Sequence, residues 1–196
     1  MSKISFVKTI IAKSDYKEKE KMGDIYLIHF DPTEKEGMNA YECVECSVSV
    51  ADYNAEEVKA EYADWKTKHD EAELAYSIRS KVTEIEAYDT SDKVNGFILN
   101  GMTVWLDKAT RVGLMNSTTI AKVAGQETTT LWLGDVKLEV DCDKAIQLLS
   151  ALEMYALECF NVTAAHKAAV AELKTIKEVE AFDVTADYPQ QLVMKL

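Results

Sequence analysis

NAEEVKAEYADWKTKHDEAELAYSIRSKVTEIEAY, residues 54–88, contains neither proline nor glycine, and the rest of the chain must be arranged around it. Asn54 is placed to accept from the first free backbone N–H groups of a helix, with Glu57 three residues on as in a capping box. Glu56, Glu57 and Glu61 put negative charge in the first turns, where the helix dipole favours it. The larger side chains then fall at Val58, Tyr62, Trp65, His69, Ala72 and Tyr76, in alternating steps of four and three. That spacing is a heptad seam, narrower than the stripe of an ordinary surface helix. From Ala75 the seam changes phase to Ile78, Val82 and Ile85. At 1.5 Å per residue the helix is a rod of about 50 Å, too long for a small globule to leave uncovered. Two coverings fit. The chain's own domains fold back over the seam, or copies self-associate through a short coiled coil, with Val58, Tyr62, Trp65, His69, Ala72 and Tyr76 as the oligomerisation residues. A histidine and a tyrosine at seam positions weaken a two-stranded zipper and suit a wider or locally hydrated core.

Upstream of the rod, residues 3–50 read as strands. ISFVKTIIA is rich in β-branched residues, and DIYLIHF and AYECVECSVSV follow with increasingly regular alternation. The charged segments SDYKEKEKMGD and DPTEKEGMN between them read as turns, so about three antiparallel strands are expected. Downstream, two short apolar runs flank Asn100-Gly101, the strongest short signal for a hairpin. Asp107 is a candidate cap for a helix that Gly125 ends. TTTLWLGDVKLEV reads as a second hairpin turning at Gly134-Asp135. Asp141 or Asp143 then starts the longest apolar helix, whose wide buried face is expected to include Ile146, Leu149, Leu152, Met154, Tyr155, Leu157, Phe160, Val162, Val170 and Leu173. A short helix and an irregular tail ended by Pro189 complete the chain. The fold class is α+β. Its domains are an N-terminal β domain (1–53), a long helix or rod (54–90) and a C-terminal hairpin–helix–hairpin–helix domain (91–196).

The 196 residues carry a net charge of −12, with 47% hydrophobic and 29% charged side chains. That balance suits a soluble globular chain and opposes phosphate contact, so no nucleic-acid partner is expected. Lys8 and Lys13 bracket the only apolar run near the N-terminus, which is therefore no signal peptide, and no later run approaches a membrane span. Synthesis and folding in a cytoplasm are the expectation.

The residues that carry chemistry do not assemble into a motif. Cys43 and Cys46 form a CxxC, but residues three apart on a strand face opposite ways and cannot share one ion. Cys142 and Cys159 sit on an apolar helix as core residues. His29, His69 and His166 are far apart, and there is no GxSxG elbow, no GxGxxG and no P-loop. Asp135, Asp141 and Asp143 cluster near a turn, where capping is the better reading than a weak calcium site. Asn161-Val162-Thr163 is a glycosylation triplet placed mid-helix. Trp65, Trp105 and Trp132 lie in patterns that favour burial. No catalytic residue, metal or cofactor is expected, and the chain reads as no enzyme.

VNGFILNGMTVWLDKATRVGL, TTTLWLGDVKLEV, KAIQLLSALEMYALECFNVTAAHKAAV and AFDVTADYP, spanning residues 94–189, resemble a domain family of unknown function. That family sits near the C-termini of tailed-bacteriophage tail-fibre and fibre-associated proteins. The matching positions are Gly101, Asp107, Arg111, Leu114, Trp132, Leu148, Leu152, Tyr155 and Phe160. The resemblance implies a virion structural protein, made in the host cytoplasm, which forms a short homotrimeric head or tail fibre or a fibre adaptor. Its partners would be copies of itself and other virion proteins such as capsid, tail or fibre. A fibre-assembly chaperone that is absent from the mature particle is the alternative, and a small enzyme using the CxxC and a distant histidine is the third reading.

Overall fold

The computed structural model describes residues 4–195. Lys3, the first residue of the expected β region, and Leu196, the last of the expected C-terminal domain, lie outside them. The fold is α+β and separates into two compact units, with the division between Glu73 and Leu74. The division falls inside α1 (Ala55–Asp89).

The first unit is a four-stranded antiparallel sheet of β1 (Ile4–Ala12), β2 (Lys19–Met22), β3 (Ile25–Glu34) and β4 (Ala40–Ser49) in the order β1-β4-β3-β2. The expected three strands are present, and β2 is the correction. Its sequence, KEKM, is charged and almost fully exposed, so it carries no apolar alternation to read. Backbone pairing with β3 makes it a strand, and Lys19 lies over the rings of Tyr26 and Tyr53 at 4.1 and 3.5 Å. Strand parity sends Ile4, Cys46 and Val48 to one face, where they are buried with Val58 of α1 among Phe6, Tyr26, Ile28, Phe30 and Tyr53. Cys43, on the same strand as Cys46 but three residues away, faces the opposite side, and both thiols are free and buried. Asn54 starts α1 as expected, accepting from Glu56 and Glu57 N–H at 3.0 and 3.4 Å.

The second unit follows the expected series closely. After the single turn α2 (Asp92–Asn95), β5 (Gly96–Leu99) and β6 (Met102–Trp105) form a hairpin across Asn100 and Gly101, both at positive φ (49° and 84°). Asp107 caps α3 (Lys108–Val123) through Thr110 N–H at 2.8 Å, and Gly125 (φ 82°) follows its end. Strands β7 (Thr128–Leu133) and β8 (Val136–Asp141) turn at Gly134, and Asp141 caps α4 (Cys142–Ala171) by accepting from Asp143 and Lys144 N–H. The short helix α5 (Ile176–Ala181) begins with a capping box of Thr175 and Glu178. Ion pairs between Arg111 and Glu153 and between Lys122 and Asp143 show that α3 and α4 run antiparallel. The main core gathers Phe97, Leu99, Leu131, Leu133, Leu149 and Leu152 between the hairpins and α4.

Beyond Pro189, where the sequence offered no element, β9 (Val193–Met194) pairs in parallel with β5 and completes a sheet of order β6-β5-β9. One expectation is corrected here: the buried side of α4 is narrower than its composition suggests. Leu149, Leu152, Tyr155 and Val170 are buried, whereas Met154, Leu157 and Phe160 are exposed.

Candidate functional site

The six seam residues of α1 divide in the structure. Val58 and Tyr62 are buried, Trp65 and His69 partly so, all against the chain's own sheet, while Ala72 and Tyr76 are exposed. Together with β1 and β3 they build a file of rings. Phe30 stacks on Tyr62 (4.0 Å, 13°), Tyr62 lies near Trp65 (6.2 Å), and Trp65 stacks on His69 (4.6 Å, 11°). Phe6 packs beside the file, 5.8 Å from Tyr62 and 5.6 Å from Trp65. Within the chain, Val58, Tyr62, Trp65 and His69 are thus covered by its own sheet. The second-phase residues Ile78, Val82 and Ile85 behave alike in their own unit, packing with Val170, Leu173, Phe182 and Val184.

Beside the ring file lies a cavity of about 240 Å³, lined in part by Asp31, Tyr62, Lys66, His69 and Asp70. Asp31 sits at the bulge between Phe30 and Thr33 with φ of 50°, a left-handed setting that aspartate tolerates better than most residues. Its carboxylate accepts from Tyr62 Oη at 2.7 Å and faces Lys66 Nζ at 3.6 Å. Burial, reinforced by that carboxylate, raises the phenol's pKa well above its ordinary value, so Tyr62 acts as a neutral donor. Lys8 donates to both Glu73 oxygens at 2.7 and 2.8 Å and thereby lowers the Glu73 pKa. His69 Nε2 lies 3.3 Å from Glu73 Oε1, yet its alignment makes no hydrogen bond. Three of the thiols are the reverse of activated. Desolvation raises those of Cys43 and Cys159, and pushes Cys46 up to about 11, whereas activation needs the opposite shift. Among the described residues no group of three or more His, Cys, Asp or Glu side chains could hold a metal ion.

The second unit carries a notch of about 500 Å³ where α3 begins beside α4. Leu157 and Phe160 of α4 lie next to Trp105 at the end of β6, with Asp89, Thr90, Asp107, Lys108, Arg111 and Glu153 around them. Arg111 is fixed, donating to Leu106 O at 2.7 Å and to Glu153 at 2.9 Å. Hydrogen bonds from the Thr110 hydroxyl and backbone N–H lower the Asp107 pKa, which keeps the cap anionic. Trp105 is 47% exposed, Leu157 50% and Phe160 64%, so packing within the chain does not account for their apolar character. Sequence reasoning placed Trp105 and Phe160 inside. The signal that could have found them is a second apolar stripe, 154-157-160, running beside the buried 145-149-152-155-159 stripe; a helix apolar on two sides has two faces to cover. Three of the resemblance positions, Asp107, Arg111 and Phe160, meet at this notch.

Comparison with known proteins gives one family. No curated protein and no solved structure shows a significant likeness to the chain. A family model described as a domain of unknown function, DUF4376, matches residues 78–186. The match covers more than half of the chain and starts inside α1, five residues after the division between the two units. It takes in the notch from Asp89 to Phe160. The chain therefore belongs to the DUF4376 family, the domain of unknown function.

Proposed function

We propose that the chain is a structural component of a tailed-bacteriophage virion, a short head- or tail-fibre protein or fibre adaptor that works as a homo-oligomer, with a trimer expected. It is made in the host cytoplasm and acts by docking onto capsid, tail or fibre proteins rather than by catalysis. The setting rests on the resemblance of residues 94–189 to fibre-associated domains, a stretch that the family match overlaps almost fully. The observation that carries the mode of action is the apolar surface of Trp105, Met154, Leu157 and Phe160 within that domain, exposed beside an open notch. Contiguous exposed apolar side chains ringed by polar ones are the physical signature of a surface that another macromolecule covers. The raised thiols of Cys43, Cys46 and Cys159 and the lysine-paired carboxylate of Glu73 support docking over catalysis.

Quantitative mass spectrometry of purified virions tests the proposal. The chain should appear in fixed stoichiometry to capsid protein. Particles that lack it, from an infection that fails to assemble fibres without it, would make it an assembly chaperone instead.

A further inference from the structure

The charged groups around the notch at the head of α3 are unevenly satisfied. Its carboxylates are all engaged within the chain. Asp107 accepts from Thr110 N–H and Oγ1 at 2.8 and 2.6 Å, Asp89 from Thr163 Oγ1 at 2.6 Å, and Glu153 from Arg111 Nε at 2.9 Å. The cations keep capacity to spare. Lys108 is exposed, and its ammonium has no ion-pair or hydrogen-bond partner among the described residues. Arg111 uses Nε on Glu153 and Nη1 on Leu106 O, while Nη2 has no acceptor among the described residues. The Arg111 side chain is only 11% exposed and lines the notch, so its guanidinium is fixed and largely desolvated before any ligand arrives.

These donors share the notch with Trp105, Leu157 and Phe160, all about half exposed or more. An occupant that completes both parts is apolar over most of its surface and anionic at one point. A carboxylate matches that point, because a pre-ordered guanidinium binds it with charge-assisted hydrogen bonds at little further entropic cost. A group of higher charge, such as a phosphate, would also have to sit among Asp89, Asp107 and Glu153. The concavity, about 500 Å³, takes the side chains of a short segment rather than the face of a domain. Anchoring aromatic and arginine side chains in a partly desolvated pocket are what concentrate binding energy at protein interfaces. We propose that the notch receives a segment of a partner protein in which one Asp or Glu stands between aromatic or aliphatic residues. The carboxylate goes to Arg111 and Lys108, and the apolar side chains cover Trp105, Leu157 and Phe160. The inference rests on the docking reading above and names the chemistry of what is docked.

A library of random linear peptides displayed on beads, selected on the full chain and counter-selected on Phe160→Ser, tests this. Phe160 is 64% exposed, so the serine variant keeps the fold while losing the apolar wall. Enriched sequences should carry a single acid flanked by apolar residues. The best of them, made as a soluble peptide, should bind about ten-fold more weakly when its Glu becomes Gln or its Asp becomes Asn. Lys108→Ala should weaken the acidic peptide several-fold and leave the amide analogue unchanged. Lys108 has no partner to lose, so that variant should melt like the parent chain; Arg111→Lys, which keeps the charge but not the fork, should also weaken the acidic peptide. Enriched peptides that lack an acid, or whose amide analogues bind equally well, overturn the proposal while leaving the notch a docking surface. No enrichment over Phe160→Ser overturns it too, and mass spectrometry of virions then judges the docking reading separately. A peptide that binds only by splitting an oligomer of the chain, seen as a fall in light-scattering mass, makes a second copy the occupant and overturns the proposal as well.

Discussion

Leu131, Trp132 and Leu133 are consecutive in β7, and strand alternation sends the two leucines to the core and the indole outward. The leucines are 1% exposed and Trp132 is 56% exposed. Trp132→Ala should therefore change the unfolding free energy measured in urea by less than ~1 kcal/mol, whereas Leu133→Ala should cost ~2–5 kcal/mol. Equal losses would mean that Trp132 is covered in solution. Cys46 gives a second test at this scale. Desolvation, helped by the carboxylates of Glu61 and Glu45, raises its thiol from 9.0 to about 11. A raised folded pKa means that the neutral thiol's contribution is complete below 9, the unfolded value, and is lost as pH climbs toward 11. The stability gap between wild type and Cys46→Ala should narrow over that interval, and native Cys46 should resist thiol reagents at pH 8. A gap that widens above pH 9 would place the thiol in contact with a cation.

Among the elements, the helix starts are the best test of local chemistry. Asp141 accepts from two backbone N–H groups at the head of α4, the helix against which β7 and β8 pack. Asp141→Ala should cost ~1 kcal/mol, and Asp141→Asn should recover most of it, since the amide oxygen still accepts. Thermal unfolding of the two variants decides this. Such caps were legible in the sequence because they are local: Asn54, Asp107 and Asp141 precede apolar periodicity, and Asn100-Gly101 and Gly134 sit where φ must be positive. The elements that were not legible owe their existence to pairing. Strand β2 is KEKM and β9 is two residues of a tail, and neither has a pattern apart from the neighbour that binds it. The notch was hidden for a related reason. Apolar composition identifies residues that must be covered, but Phe160 and Leu157 are apolar without being covered by this chain.

For the whole molecule, the decisive question is which surface joins copies of the chain, and α1 separates the answers. If the seam were a common axis, Trp65→Asp would place like charges together in a desolvated core and reduce the assembly to monomers. In the structure Trp65 instead lies within its own unit, 5.6 Å from Phe6 and stacked on His69, and Tyr62 beside it is bonded to Asp31. The carboxylate would then be forced against rings of the same chain. The expected cost is ~2–4 kcal/mol, below that of a fully buried indole because Trp65 keeps some exposure. That loss should fall on the sheet of β1 to β4, whose aromatic near-ultraviolet signal fades at lower temperature than in wild type. The family domain beyond Leu74 has separate cores, built on Leu149 and on Ile85, and should keep its own transition. Light scattering at high micromolar concentration completes the test. An unchanged oligomeric mass in Trp65→Asp would leave the exposed stripe of Met154, Leu157 and Phe160 to hold the copies together. A fall to monomer with the first unit's melting unchanged would instead return the seam to the interface, with Val58, Tyr62, Trp65 and His69 leaving their own sheet on assembly.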